Sequence, residues 1–225
     1  MTARTDQRTL RGQRTRERLI EEGLRLFAQK GFEGVSIREL ATACEANSAA
    51  VSFHFGGKAG LYAAVIDHVA ESLAAIYADT LTPAGGLSPH STREQAAQAA
   101  GDMLTRLVSK VLTVKRSLWM SLLIQREMVA PSDSFERIYA QAILPVVEAY
   151  ARVIAQATGR EERSLEARTL AFGLFAMVSA LSRSRTAFLQ WTGLETYTPD
   201  NAAQIARIVS QFALHGVTGQ EAAGQ

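Results

Sequence analysis

The sequence predicts an all-α chain: an N-terminal three-helix helix-turn-helix domain followed by a larger C-terminal helical domain, about nine helices in all. Three observations predict it. Apolar residues recur at three- and four-residue intervals along the chain, and no stretch shows strand-like alternation. Between Gly31 and Leu61, two short helical patterns stand on either side of a tight link, Cys44-Glu45-Ala46. One segment, Leu81 to Ser91 (LTPAGGLSPHS), gathers two prolines and two glycines and divides the chain into unequal parts.

Composition narrows the function classes. The 225 residues are 47% hydrophobic, enough for a sizeable core, and the net charge of +2 is too small to identify a partner. The most apolar stretches, Ser117 to Ile124 and Leu170 to Leu181, are too short for a bilayer span, so no membrane association is expected. The first residues are polar and arginine-rich with no apolar segment after them, which fits a cytoplasmic protein. Cys44 is the single cysteine, so an internal disulfide and a cysteine cluster are excluded. His54, His68, His90 and His215 are too scattered to pair on one helix face; no metal and no cofactor are expected. Gly56-Gly57-Lys58 lacks the upstream glycine and the following hydroxyl residue of a nucleotide-binding loop. With no nucleophile-base-acid set and no paired carboxylates, the chain is expected not to be an enzyme.

The elements follow in order. Residues 1–12 are expected to form a basic flexible arm. Arg4, Arg8, Arg11, Arg14, Arg16 and Arg18 face only Asp6 and Glu17. Such an arm either lies along phosphates or is a solvated tail, and it can order on nucleic acid alone. The helix-turn-helix domain is placed at 13–57. Its first helix runs from Gln13 to Lys30 with Leu19, Ile20, Gly23, Leu24 and Phe27 on one face. Phe27, Phe32, Leu40 and Phe55 are expected to share its core. Ser36 and Glu39 form a capping-box pattern, Asn47 or Ser48 caps the next helix, and Val51 and Phe55 point inward. A connecting helix, 58–80, places Leu61, Val65, Val69 and Leu73 or Ile76 inward, and 81–91 is a loop.

The larger domain is placed at 92–216. Helices are predicted over Thr92–Thr113 and Arg116–Val129, then from Ser132 or Ser134 to Thr158 with a bend at Pro145. Ser164 caps a helix through Ala180, or as far as Gln190, and a last helix runs from Pro199 to Gly216. Residues 217–225 are expected to be a flexible tail.

Gly31-Phe32, Ser36-Ile37-Arg38, Leu40-Ala41, the run Val51 to Lys58 and Leu61-Tyr62 together resemble the DNA-binding domain of the TetR family of bacterial repressors. Two positions depart from its pattern. Ser52 stands where a phosphate-touching tyrosine is common and reaches less far, and Gly56 stands where proline or lysine is common. The chain is more similar to the CecR-like branch through AAVSFHFGGK, and again through Trp119 to Met128, Leu144-Pro145 and Trp191 to Gly216.

The resemblance and the residue chemistry together nominate a DNA-binding set: Ser36, Arg38, Asn47, Ser48, Ala49, Ala50, Ser52, Phe53, His54 and Lys58. Arginine suits the two acceptors of guanine, and alanine methyls suit thymine methyls. Arg38 is otherwise a solvated or ion-paired arginine, Ala50 can be buried, and Phe53 can fold into the local core. Lys58 starts a helix, where a cation opposes the dipole, so a phosphate is the expected reason for it. Effector candidates are Met103, Leu107, Trp119, Leu123, Arg126, Tyr139, Phe172 and Phe175, although residues of these types at helical spacing are more often plain core than pocket. Arg126 and Glu127 either pair with neighbouring helices or, for Arg126, face an acidic ligand. The resemblance implies a four-helix dimer interface, for which Ala167, Ala171, Phe172, Ala176, Ile205, Ile208, Val209 and Phe212 are the candidates. The expected partners are double-stranded operator DNA, a second copy of the chain and a small-molecule effector. The expected function is a ligand-responsive repressor of efflux or drug-sensitivity genes; a DNA-bound interaction protein without an effector is the alternative.

Overall fold

The computed structural model describes residues 2–114 and 117–218, helical for most of their length and without a strand among them. They fall into two compact units. The first holds Met1–Glu71 with Trp119–Ile138, the second Ser72–Leu118 with Tyr139–Gln225. This division departs from the expected blocks: residues 119–138, assigned by pattern to the larger domain, pack with the N-terminal helices. A periodic apolar stripe shows that a helix has a face to bury but not which neighbour covers it.

In the first unit, α1 (Thr2–Lys30) starts ahead of the expected Gln13, so residues 2–12 continue the helix instead of forming an arm. Leu19, Ile20, Gly23, Leu24 and Phe27 are all buried, as their spacing requires. Gly31, at φ 75°, ends the helix in the left-handed region. After it come α2 (Ile37–Ala43), α3 (Ser48–Phe55) and α4 (Lys58–Thr80), the last continuing into the second unit. Phe27, Leu40, Val51, Leu61 and Val65 are fully buried, whereas Phe32 and Phe55 are only half-buried. Phe32 and Phe27 instead gather around Tyr62, with ring centroids 5.1 and 5.0 Å from it in edge-on arrangements. From Trp119 onward, α7 (Ser117–Val129) and α8 (Phe135–Ile138) complete this unit, burying Met120, Leu123, Ile124 and Ile138.

The second unit is built on α6 (Arg93–Thr113), which packs against α9 (Leu144–Thr158), α10 (Leu165–Arg183) and α12 (Pro199–Thr218). Thr92 caps α6 with a full capping box, its hydroxyl accepting from the Gln95 N–H at 3.2 Å while its own N–H donates to Gln95 Oε1 at 2.8 Å. Gly101 lets α12 approach closely: a Cβ there would stand 2.7 Å from Leu214, and Ser210 Oγ donates to the Gly101 carbonyl at 2.9 Å. Three short helices add to the nine expected. The segment 81–91 contains α5 (Thr82–Gly85), α8 is split from α9, and Ser184 separates α10 from α11 (Arg185–Thr192). The bend expected at Pro145 is taken up by a π-helical turn, Tyr139–Ile143, just before it. A wider turn there relieves the proline ring's clash with the preceding carbonyls. The tail beyond Thr218, and Arg116 at the expected start of α7, lie outside the described residues.

One expectation about membranes is corrected. Lys58–Thr80, Phe135–Thr158 and Leu165–Arg183 are each long and apolar enough to cross a bilayer by length and composition, with a mean hydropathy of 1.3. Their alanine-rich sequences carry few charges, which raises the average even where the helix lies against other helices. Leu61, Val65 and Val69 of the first, and Val146, Tyr150 and Val153 of the second, are buried inside the protein.

Candidate nucleic-acid interface

The site is assembled by caps. Ser36 Oγ accepts from the Glu39 N–H at 3.1 Å and starts α2. The reciprocal half of the expected capping box is replaced: the Glu39 carboxylate takes Lys30 Nζ at 2.5 Å, tying α2 to the end of α1. That ammonium holds the Glu39 carboxyl below its ordinary range. The link to α3 is tight, with Glu45 at φ 51°, and Asn47 Oδ1 accepts from the Ala49 N–H at 3.0 Å. Gly56, at φ 72°, closes α3, its N–H donating to the Ser52 carbonyl at 2.9 Å. Beneath the link, Cys44 is buried, its Sγ 3.4 Å from the Arg18 carbonyl. Burial pushes the thiol up to about 11, so it is a neutral filler at ordinary pH.

These caps orient α3 so that Val51 is its one buried residue, while Ser48, Ala49, Ser52 and Phe53 share the outer side. Phe53 is 84% exposed, touching only the edge of the His54 ring at 5.0 Å among aromatic neighbours. It does not fold into the local core. Ser36 and Asn47 are exposed caps, and Ala50 and His54 are partly covered. Arg38 is exposed on α2 with no carboxylate partner among the described residues. Alongside, Arg11, Arg14 and Arg18 are exposed on α1 at spacings that keep them on one helix face, and Arg16 stacks over Phe55 at 5.3 Å.

Lys58 has a structural partner that the sequence did not reveal. Its Nζ donates to the Phe32 carbonyl at 3.0 Å and sits 4.3 Å over the Phe32 ring, with Glu33 at 3.9 Å. The turn that supplies all three contacts is remote in sequence, so position at a helix start pointed only to the dipole conflict. Arg126 is also explained structurally. Its Nε and Nη2 donate to the carbonyls of Ala28 and Gln29, each at 2.8 Å, at the C-terminal end of α1. Glu127 is 2% exposed and accepts from the Tyr62 hydroxyl, the Ser132 N–H and Ser132 Oγ. The two do not pair with each other. Among the described residues no three His, Cys, Asp or Glu side chains gather into a metal-binding group.

An exposed aromatic and a free arginine on a capped helix-turn-helix are what a groove reader presents. Residues 19–65 match the family described as bacterial regulatory proteins, tetR family. Residues 96–219, more than half of the chain, match the C-terminal domain of the HTH-type transcriptional dual regulator CecR. The chain belongs to the TetR family.

One curated relative matches along most of the chain and another over about half of it. The HTH-type transcriptional dual regulator CecR of Shigella flexneri is 24% identical over 205 residues, covering 90% of this chain and 91% of that protein. The probable HTH-type transcriptional regulator YttP of Bacillus subtilis is 36% identical over 114 residues, which span 46% of this chain and only 53% of YttP. In fold, the chain is similar to AibR, solved in complex with isovaleryl coenzyme A and operator DNA. That likeness has a TM-score of 0.62 at 16% identity and covers 88% of this chain and 97% of AibR. This TetR-family chain is therefore a DNA-binding transcriptional regulator.

The remaining nominated residues separate by burial. Trp119, Leu123 and Arg126 lie in the first unit, and Met103, Leu107, Tyr139, Phe172 and Phe175 in the second. Met103, Leu107, Leu123 and Phe175 are core, whereas Tyr139 and Phe172 are exposed at 36% and 45%. Of the interface candidates, Ala167, Ala171 and Ile205 are buried within the chain. These three side chains point into the second unit's own packing. Phe172, Ala176, Ile208 and Phe212 are exposed and Val209 is partly so, and Leu165 joins them on the α10 surface. Leu165 was missed because a residue next to a cap reads as part of the cap.

Proposed function

We propose that this chain is a homodimeric repressor that binds a palindromic operator and leaves it when a small molecule occupies the larger domain. The observation that carries the reading is Phe53, 84% exposed on the outer side of α3 beside Ser48, Ala49 and Ser52. Burying a phenylalanine is worth about 1.5–3 kcal/mol, so leaving it in water invites a partner. Arg38 on α2 supplies the fork that reads a guanine edge, and Asn47, Ala50, His54 and the exposed arginines of α1 complete the surface. Lys58, engaged at the Phe32 turn, contributes by holding that turn and by its remaining N–H donors.

Dimerisation is supported by the exposed apolar side chains of α10 and α12, Phe172, Ile208 and Phe212. Two readers related by a two-fold axis would bind half-sites one helical turn apart. The effector reading draws on AibR, solved with both an acyl-coenzyme A and operator DNA. An effector moves most of the population off DNA only if it prefers the released state by roughly 10⁴-fold. Efflux or drug-sensitivity genes as targets, and the cytoplasm as the place of action, extend from the CecR resemblance. The alternative of an interaction protein without an effector is favoured by Trp191, 90% exposed on α11, which offers a protein partner an aromatic anchor.

The test is titration of the chain with DNA from its own upstream region. Arg38→Ala is expected to lower affinity about 5- to 150-fold, the equivalent of 1–3 kcal/mol, and to relax specificity at one base pair. Phe53→Ala is expected to weaken binding without lowering the melting temperature. Unchanged affinity in both variants would sink the site.

A further inference from the structure

The interior of the second unit holds a polar atom that the fold leaves without a partner. Tyr150 lies on the inward side of α9 with Val146, Ala149 and Val153, at the spacing of a single helix face, and is 1% exposed. Its hydroxyl is buried and makes no hydrogen bond among the described residues. We infer that Tyr150 is the polar contact for the small molecule taken up by the larger domain, and that this molecule is neutral, with an apolar body and an accepting oxygen such as that of a ketone, ester or ether. The inference rests on the effector reading above and names the chemical class of the effector.

Smaller hydroxyls buried in the same unit find a carbonyl of their own or a neighbouring helix. Thr80 Oγ1 donates to the Tyr77 carbonyl at 2.7 Å, Thr158 Oγ1 to the Ile154 carbonyl at 2.7 Å, and Ser210 Oγ to the Gly101 carbonyl at 2.9 Å. Tyr150 has no such solution within its own turn, because a phenol oxygen stands too far out along the side chain to bend back to the helix. A buried donor left unpaired costs free energy, and in a folded interior it calls for a reason. Tyr77, 7% exposed on α4, stands near enough for its phenol to act on that of Tyr150. Burial first, and Tyr77 second, push the Tyr150 phenol far above its ordinary range, so it presents a neutral O–H at any physiological pH.

Charge selects the class of ligand. The core to which Tyr150 belongs is hydrocarbon and aromatic, with Met103 and Leu107 from α6 and Phe175 from α10. Among the described residues of this unit no Lys, Arg or His side chain is buried. A carboxylate or phosphate brought here would leave water with no cation to meet it, and one phenol does not offset that loss. A ketone, ester or ether oxygen asks for no more than the single hydrogen bond that Tyr150 has to give. The apolar body of such a molecule exchanges water for hydrocarbon, which favours entry. A hydrocarbon without an acceptor gains the second term and leaves the hydroxyl unpaired.

Matched probes test this on the full chain by calorimetry. Acetophenone is compared with ethylbenzene, which lacks the acceptor, and with benzoate, which is an anion of the same body; methyl hexanoate is compared with hexanoate. The wild-type chain is expected to bind the ketone or the ester about 5-fold tighter than its counterparts, the net worth of one hydrogen bond. In Tyr150→Phe that preference should vanish, with ethylbenzene bound as in the wild type. Without any probe, Tyr150→Phe should melt no lower than the wild type, because its hydroxyl has no partner to lose. A lower melting temperature would mean that the protein itself holds the hydroxyl, and would overturn the inference. So would a preference that survives in Tyr150→Phe, tighter binding of benzoate or hexanoate, or a wild-type chain that takes up neither acetophenone nor methyl hexanoate. Binding through Tyr150 that leaves the affinity for upstream DNA unchanged upholds the site and its ligand class, and removes the effector reading instead.

Discussion

At the scale of single residues, exposure and engagement decide which charged or aromatic side chains are available for recognition. Arg38 and Phe53 are free on the outer surface, while Lys58 and Arg126, equally tempting in the sequence, are held by backbone carbonyls of α1 and the turn after it. Cys44 shows how burial silences a reactive group. Its thiol is raised from the ordinary range to about 11, first by desolvation and then by the nearby Glu22. A raised acid stabilises the folded state fully below its unfolded value, and that stabilisation is lost as pH rises toward the folded value. Between about pH 8.5, the free thiol's value, and about 11, the wild-type melting temperature should therefore fall faster than that of Cys44→Ala. At neutral pH the thiol should react with a disulfide reagent only after unfolding. Rapid labelling of the native chain would show that the link between α2 and α3 opens readily.

At the scale of elements, caps fix the reader's geometry, and Gly56 is the one whose conformation matters most. A Cβ at Gly56 would meet nothing within 4 Å, so a substitution there is charged only for the left-handed backbone at φ 72°. Gly56→Ala should cost about 1–2 kcal/mol, and Gly56→Asn much less, because asparagine tolerates that region. Equal melting temperatures for the two variants would mean that α3 ends differently in solution. The helix pair 37–43 and 48–55 was legible because its signals are local: Ser36, Asn47, Val51 and Gly56 act within a turn of their own position. The Thr92 and Gln95 box was equally local and was overlooked inside a long helical pattern. Less legible were features that need a distant partner. Nothing near Glu127 in sequence announces Tyr62, and nothing in the arginine-rich start tells an arm from a helix that carries Leu19 and Ile20 into a core.

At the scale of the whole molecule, each unit has a core of its own, and the chain crosses from one to the other within α4, within α7 and at the π turn. The proline- and glycine-rich segment 81–91 suggested one boundary, whereas the units divide at Glu71, Leu118 and Ile138, and the allegiance of Trp119–Ile138 was not legible because its apolar stripe would serve either unit. Dimerisation belongs to this scale. Phe212, 73% exposed, and Ile208, 58% exposed, lie four residues apart on α12, where i and i+4 side chains neighbour each other. On the dimer proposed above, Phe212→Asp should sediment as a monomer where the wild-type chain sediments as a dimer, and leave the fold intact. Footprinting of the wild-type chain on its own upstream DNA, with Phe212→Asp at the same concentration, probes sequence reading and dimerisation together. Two protected half-sites related by a two-fold axis, centred roughly 34 Å apart or a multiple of that, are expected from the wild type, and no stable footprint from the variant. A single undivided footprint given equally by both proteins, or protection indifferent to sequence, would contradict that expectation.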